Sequence, residues 1–225
     1  MAAAIVNELV KMGIPKDKIV VWDAEGSALM YSVMYLVRQE FGGVRVVATD
    51  QLSDPFDESK TMDIQGNPAH LSRLLTEPAH LINVPVLKNH FEAGVTFALK
   101  NHVGSAGKEI KYRQKLFHNP IAERNALNNT APDIKNKTRL IVGDALFGVY
   151  MRGPVGEPEF VYNGLIVGTD PVATDHQARV IIEDERKKRN LPFVPSLHID
   201  QAIKLGLGAP IDEIQVTPVN RTKRG

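Results

Sequence analysis

Short apolar runs that end at polar residues alternate with amphipathic helical patterns along most of this chain. Residues 2–12 and 27–41 repeat apolar side chains at helical spacing, and the apolar runs 19–22 and 44–48 follow them in turn. This alternation is typical of strands that lie in one sheet with helices packed on its faces. We therefore predict an α/β fold with a mainly parallel or mixed sheet and helices on both faces, built as a single domain over residues 1–225.

Two polar stretches interrupt the alternation. Residues 51–68 contain the turn signals Asp54-Pro55 and Gly66-Asn67-Pro68, which predict an excursion or a hairpin after the second strand. Residues 104–137 are polar and poorly periodic, and we expect a surface excursion there. Since the chain opens in a helix, we also expect a strand to be missing ahead of it. The pattern predicts further strands over 81–87, 140–143, 160–162, 165–167 and 214–216, and further helices over 171–187 and 196–205.

Composition excludes several classes of protein. The formal net charge is +1, which provides no basic field for nucleic acid. No apolar run is long enough to span a membrane, and residues 1–6 lack the basic region and apolar core of a signal peptide, so we expect a cytoplasmic protein. The chain has no cysteine, which excludes disulfides, zinc–thiolate sites and an iron–sulfur cluster ligated by cysteines of this chain.

Polar residues that follow the strands are the first candidates for a site, because open α/β sheets bind ligands beyond the carboxyl ends of their strands. They are Asp23, Asp50, the triplet Lys88-Asn89-His90, Asp144 and Asp170. Carboxylates at such an edge favour a divalent cation, and we predict Asp144, Asp170 and Asp175 as metal ligands. The alternative is that an aspartate after a strand serves in a turn or as a helix cap; Asp170 before Pro171 fits such a cap.

Residues 88–104 carry the densest polar signal. We predict a helix over 91–103, which would bring His90, Gly94, Phe97 and Asn101 near one face. Lys88 and Lys100 would hold an anion, and His90 would act as acid or base or as a metal ligand. Ligand-binding roles are predicted for Asp23, Gly94, Asn101 and His102. The alternative is a solvated helix with Lys100 and His102 exposed.

Two strings together resemble a known family. One runs from Asn83 through Lys88-Asn89-His90 to Gly104, and the other is Gly168-Thr169-Asp170-Pro171-Val172-Ala173-Thr174-Asp175 with a later Gly206-Leu207-Gly208. The chain resembles the bacterial and archaeal family called domain of unknown function 362. The resemblance implies an association with redox proteins, because many relatives carry a ferredoxin-like module with Cys-x-x-Cys repeats. This chain has no cysteine and lacks that module, so the resemblance does not carry the redox role of those relatives over to it.

Three functions remain open at this point. The first is an enzyme domain that binds an anionic small molecule, with a divalent metal as candidate cofactor. The second is a non-catalytic module that docks a second copy, or a separate redox or cofactor-assembly partner, through an apolar patch. Its candidate residues are Phe91, Phe97, Phe117 and Phe147, most of which we expect in the core. The third is a relative without activity of its own. No phosphate loop, dinucleotide fingerprint, Gly-x-Ser-x-Gly or His-Glu-x-x-His motif is present.

Overall fold

The computed structural model describes residues 1–31, 34–64, 67–107, 126 and 128–219. The helices are α1 (Ala2–Lys11), α2 (Gly26–Tyr31), α3 (Met34–Glu40), α4 (Arg73–Thr76), α5 (Ala98–Asn101), α6 (Pro132–Lys135), α7 (Pro171–Lys187) and α8 (Leu197–Lys204). The strands are β1 (Val20–Asp23), β2 (Arg45–Ala48), β3 (Phe56–Ile64), β4 (Asn67–Ser72), β5 (Leu81–Asn83), β6 (Val86–His90), β7 (Gly94–Thr96), β8 (Thr138–Val149) and β9 (Phe160–Gly168). The fold is a mixed α/β architecture, as the alternation predicts.

The N-terminal part is a two-stranded parallel unit, in which β1 pairs with β2. Its small core consists of Val6 from α1, Val37 from α3, and Ile19 and Val44, which immediately precede the two strands. Because β1 and β2 run in the same direction, Asp23 and Ala48 end them side by side. The next pair, β3 and β4, forms an antiparallel hairpin, which confirms the hairpin predicted within residues 51–68.

The main sheet is organised around β8. Strands β5 and β6 lie parallel to β8 and pair with successive parts of it. Pro85 separates them, since proline has no N–H for the ladder, yet its carbonyl accepts a hydrogen bond from Asp144 N at 2.8 Å. Strand β7 is antiparallel to β6, and β9 is antiparallel to β8. The 81–87 run is therefore an interrupted strand, as its proline suggests.

The largest core lies between this sheet and the C-terminal helices. It contains Leu87 and Val95 from the β6–β7 hairpin, Ile141 from β8, Ile182 from α7 and Ile199 from α8, all buried. These side chains remove a large apolar surface from water, which is the main stabilising contribution to a domain of this size. No described helix is long and apolar enough to cross a membrane.

The predicted helix over residues 91–103 is wrong. A turn follows His90, β7 occupies Gly94–Thr96, and only Ala98–Asn101 is α-helical, followed by a 3-10 turn over His102–Ser105. Gly94 has φ +76°, a left-handed conformation that a helix does not contain and that glycine adopts readily. Because of this turn, the predicted common helical face of His90, Gly94, Phe97 and Asn101 does not exist.

Three further expectations need correction. The predicted strand over 140–143 is part of the longer β8, so Asp144 lies within a strand and does not follow one. Residues 214–216 form no strand. The excursion predicted over 104–137 lies mostly outside the described residues, but Ala126, Ala131 and Ile134 are buried and not at the surface. Ala131 and Ile134 pack against apolar side chains of β4 and α4, and Ala126 belongs to the largest core.

Candidate functional site

The β6–β7 hairpin positions the first two candidate residues. Lys88 lies opposite Thr96 and His90 lies opposite Gly94 in the antiparallel register. A Cβ at Gly94 would overlap the carbonyl oxygen of Pro195 and the Oγ of Ser196, so the segment before α8 packs directly on this glycine. Glycine at this position therefore allows both the turn and the close approach of the C-terminal segment.

His90 is buried and held in one orientation by the turn that follows it. Its Nδ1 accepts hydrogen bonds from the backbone N–H groups of Glu92 at 3.2 Å and Ala93 at 3.3 Å. The neutral ring therefore carries its proton on Nε2, an assignment that follows from these two donors. The ring also stacks on the exposed ring of Phe91, with centroids 4.9 Å apart. His90 is thus a hydrogen-bond donor through Nε2.

Positive charge surrounds His90. Burial lowers its pKa to about 4, and the charges of Lys100, Lys88 and His198 act in the same direction. Burial also lowers the pKa of Lys88, while Asp23 at the end of β1 opposes that effect. The structure therefore brings Asp23, Lys88, His90 and Lys100 together, and we call these four residues the cationic site.

Asn101, which is exposed, and His102, which is buried, both contact the buried Asn83. The Asn101 amide donates to Asn83 Oδ1 at 2.7 Å, and the Asn83 amide donates to the Ala98 carbonyl at 3.0 Å. His102 Nε2 lies 3.4 Å from the Asn83 amide nitrogen, and its Nδ1 lies 3.2 Å from Ser105 Oγ. Burial lowers the pKa of His102 to about 4, so the ring is neutral. Both ring nitrogens contact protein groups, which leaves His102 with a role in the fold.

The carboxylates of Asp144 and Asp170 accept hydrogen bonds from backbone N–H groups. Asp144 Oδ1 accepts a hydrogen bond from Leu146 N at 3.1 Å. Asp170 caps α7, because its Oδ1 accepts from Val172 N at 2.7 Å and Ala173 N at 3.0 Å, and its Oδ2 accepts from Ala209 N at 2.7 Å. The cap interpretation of Asp170 is confirmed. The same holds for Asp50, whose Oδ1 accepts from Gly26 N at 2.9 Å at the start of α2.

Asp175 is completely buried within α7. Its Oδ1 accepts a hydrogen bond from Leu99 N at 3.1 Å, and its Oδ2 lies 3.2 Å from His198 Nε2. Burial raises the pKa of Asp175. The described residues contain no group of three or more histidine, aspartate or glutamate side chains that could hold a metal ion. Asp144, Asp170 and Asp175 therefore do not form the predicted metal site, since each carboxylate accepts hydrogen bonds from protein groups.

Sequence reasoning missed His198. It has no partner pattern in the sequence and was not among the candidate site residues, yet it is fully buried on α8 and paired with Asp175. Its Nδ1 is buried and has no hydrogen-bond partner among the described residues. The one available signal is that His198 begins an apolar helical row with Ile199 and Ala202, which predicts burial but not the partner.

Comparison with known proteins places the chain in a family. No curated protein matches it. The profile of one family, described as a domain of unknown function (DUF362), matches residues 1–179. That match spans both candidate strings up to Asp175, including the hairpin with Lys88 and His90 and the start of α7. Since it covers well over half of the sequence, the chain belongs to the DUF362 family.

Proposed function

We propose that this chain is an enzyme domain that binds a small anionic molecule at the cationic site. The observation that carries the proposal is the placement of Lys88 and the buried His90 on β6, with Lys88 and Lys100 near enough to the His90 ring for their charges to act on it. A lysine pair close enough to a buried ring to have this effect leaves positive charge that a bound anion would offset. Asp23 is the carboxylate that acts on Lys88.

The chemistry of the four residues supports a small anion more than a metal. Lys88 and Lys100 act as point charges toward a carboxylate, phosphate or sulfate group. His90 is neutral near pH 7 and donates a hydrogen bond from Nε2, because its Nδ1 is engaged with Glu92 N and Ala93 N. A neutral donor near two lysines can orient an anionic group that the lysines attract.

Sulfate is a suitable probe, because it does not change protonation near neutral pH. We expect isothermal titration calorimetry at low ionic strength to detect sulfate binding to the whole chain. Replacement of Lys88 by alanine should weaken that binding by about tenfold or more, the equivalent of one lost charged hydrogen bond. The matched control is Lys204→Ala, which removes an exposed lysine from α8 and should leave the affinity unchanged. Equal affinities of wild type and Lys88→Ala would refute the proposal.

A second candidate function is an interaction module, and the outer surface of β8 and β9 favours it. Phe147, Val161, Leu165 and Val167 are each at least half exposed. Phe147 lies opposite Val161 in the register, and Leu165 and Val167 share one face of β9 because they are two residues apart. Clusters of exposed apolar side chains mark interaction surfaces more often than isolated ones do.

The occupant that fits this surface best is a second copy of the chain. Among the described residues β9 pairs with β8 alone, so its other edge is open, and an open antiparallel edge can pair with its own copy about a twofold axis. Sedimentation velocity should then detect a dimer, and Leu165→Lys with Val167→Lys should dissociate it. Val155→Lys, at an exposed position between the two strands, is the control. A wild-type monomer at high micromolar concentration contradicts this candidate.

A further inference from the structure

A small cavity lies between α7, the β6–β7 hairpin and the segment before α8. The hairpin contributes Gly94 and Val95 to its wall, α7 contributes Arg179 and Glu183 among others, and the segment before α8 contributes Ser196. The cavity volume that the centre of a water molecule can occupy is about 10 Å³. This is the room that one water molecule needs, and it is too little for an anion such as sulfate.

Three polar atoms of these residues are buried and have no hydrogen-bond partner among the residues that the structure describes. They are Arg179 Nε, Glu183 Oε1 and Ser196 Oγ. A buried polar atom without a partner is unfavourable, and nearly all such atoms in folded proteins bond to the protein or to ordered water. Because the three residues come from two separate segments and line one cavity, a single occupant of that cavity can bond to all of them.

The hydroxyl of Ser196 is not used in the way its position predicts. Ser196 immediately precedes α8, where a serine side chain ordinarily accepts a hydrogen bond from a backbone N–H group of the first helical turn. It makes no such bond here, although the residue is only 3 % exposed. Helix capping therefore does not explain this buried hydroxyl, which remains available to an occupant of the cavity.

Arg179 and Glu183 are close to each other but do not form a direct hydrogen bond. Arg179 Nε and Glu183 Oε1 are 3.7 Å apart, beyond the limit of roughly 3.2 Å for an N–H···O hydrogen bond. Arg179 Nη2 donates instead to His176 Nδ1 at 3.0 Å. At this separation a water oxygen can lie about 2.9 Å from both atoms and complete the contact.

The charges of the cavity wall favour a neutral occupant. A cation in the cavity would lie against the Arg179 guanidinium, and an anion would lie against the Glu183 carboxylate. A water molecule accepts a hydrogen bond from Arg179 Nε and donates one to Glu183 Oε1. It can form a third hydrogen bond with Ser196 Oγ, because a hydroxyl both donates and accepts. Buried waters in proteins typically make about three hydrogen bonds.

We propose that this cavity is a binding site for one structural water, which joins α7 to the segment before α8 at the β6–β7 hairpin. Ser196 also packs on Gly94, so the water fixes the C-terminal segment against the hairpin that carries Lys88 and His90. The water site is independent of anion binding, because none of its three polar groups belongs to the cationic site.

A crystal structure of the whole chain, at a resolution that shows ordered waters, tests the site directly. We expect one density peak within hydrogen-bond distance of Arg179 Nε, Glu183 Oε1 and Ser196 Oγ. A direct hydrogen bond between Arg179 and Glu183 with no peak in the cavity overturns the inference. A Ser196 hydroxyl that caps α8 by accepting from His198 N or Ile199 N, or a peak with the anomalous scattering of chloride, overturns it as well.

A double-mutant cycle tests the same bridge in solution. Ser196→Ala removes one of the three partners, and we expect it to lower the Tm of the wild type by about 2–4 °C. In a Glu183→Ala background, where the water has already lost an acceptor, the same substitution should lower the Tm by clearly less. The matched control background is Asp184→Ala, which removes an exposed carboxylate from the next position of α7 and should leave the effect of Ser196→Ala unchanged. Equal losses of Tm in all three backgrounds would show that no bridge couples Ser196 to Glu183.

Discussion

The start of α7 and the β6–β7 hairpin are both polar stretches beside the main sheet, yet their polar atoms are used in different ways. At the start of α7, Asp170 accepts three backbone hydrogen bonds, one of them from Ala209 in the segment after α8. At the hairpin, Lys88 and His90 lie among other positive charges, and the neighbouring His198 has a ring nitrogen without a partner.

The difference separates polar residues that stabilise the fold from polar residues that are available to bind a ligand. A carboxylate whose oxygens all accept backbone N–H groups has no capacity left for a ligand, and its removal affects the fold. Two lysines beside a buried histidine are unfavourable for the fold, and groups with such perturbed pKa values are found preferentially where binding or catalysis requires them. The comparison therefore predicts that changes at α7 alter stability, whereas changes at the hairpin alter binding and the response to pH.

The largest expected effect is that of acid on stability. His90 and His102 both have a pKa of about 4 in the folded protein, below the unperturbed value of 6.5. Below pH 6.5 the unfolded chain takes up protons that the folded protein does not, so stability is lost as the pH falls from 6.5 toward 4. We expect the free energy of unfolding to fall by about 2 kcal/mol per histidine between pH 7 and pH 5.

Urea denaturation at the two pH values measures this loss. His102→Gln should remove about half of the pH dependence, because it removes one of the two titrating rings. His80→Gln, at an exposed histidine, should leave the pH dependence as it is. Equal stabilities of the wild type at pH 7 and pH 5 would show that the two rings are protonated as readily in the folded protein as in the unfolded chain. The proposed difference between the hairpin and the start of α7 would then not be electrostatic.

Replacement of Asp170 comes next in size. Asp170→Ala removes the cap of α7 and the hydrogen bond to Ala209, and we expect a loss of about 2 kcal/mol in the free energy of unfolding. Asp144→Ala is the matched comparison and should lose less, because the Asp144 side chain accepts a hydrogen bond from Leu146 N and does not cap a helix. Sulfate affinity of Asp170→Ala should equal that of wild type. A loss of sulfate binding at unchanged stability would show that Asp170 belongs to the binding site and not to the stabilising contacts of α7.

The smallest effect is that of Lys88 on stability. Burial lowers its pKa, which means that the charged side chain is partly desolvated in the fold. Lys88→Met keeps the length of the side chain without the charge. We expect its free energy of unfolding to lie within about 1 kcal/mol of the wild-type value and to be slightly higher. Thermal denaturation of the two proteins measures it. A clear destabilisation would indicate that Lys88 supports the fold as Asp170 does.

Local chemistry made some elements predictable. Asp170 and Pro171 predicted the start of α7, because a capping carboxylate and a proline at the first helical position are local signals. Pro85 predicted an edge or a bulge for a similar reason, since its missing N–H acts wherever the residue lies, and the structure has a break between β5 and β6 there. Gly94 is also a local signal for a turn, but the spacing of the residues around it predicted a helix. In the structure Val95 pairs with Asn89, so the segment forms a hairpin.

Long-range contacts decided the rest of the site. Asp175 meets His198 across 23 residues and Leu99 across 76, and no local spacing relates these positions. The metal site predicted for Asp144, Asp170 and Asp175 failed for the same reason. Their types suggested ligands, but the backbone groups that occupy their oxygens include Ala209 and Leu99, which come from distant segments.

The sequence by itself determined the α/β class and the start of α7, and it made Lys88 and His90 candidate site residues. Only the tertiary structure decided which polar atoms are already bonded and which are not. The physical reason is that secondary structure depends on neighbours within a few residues, whereas the hydrogen bonds and charges around a buried group come from segments that meet after folding.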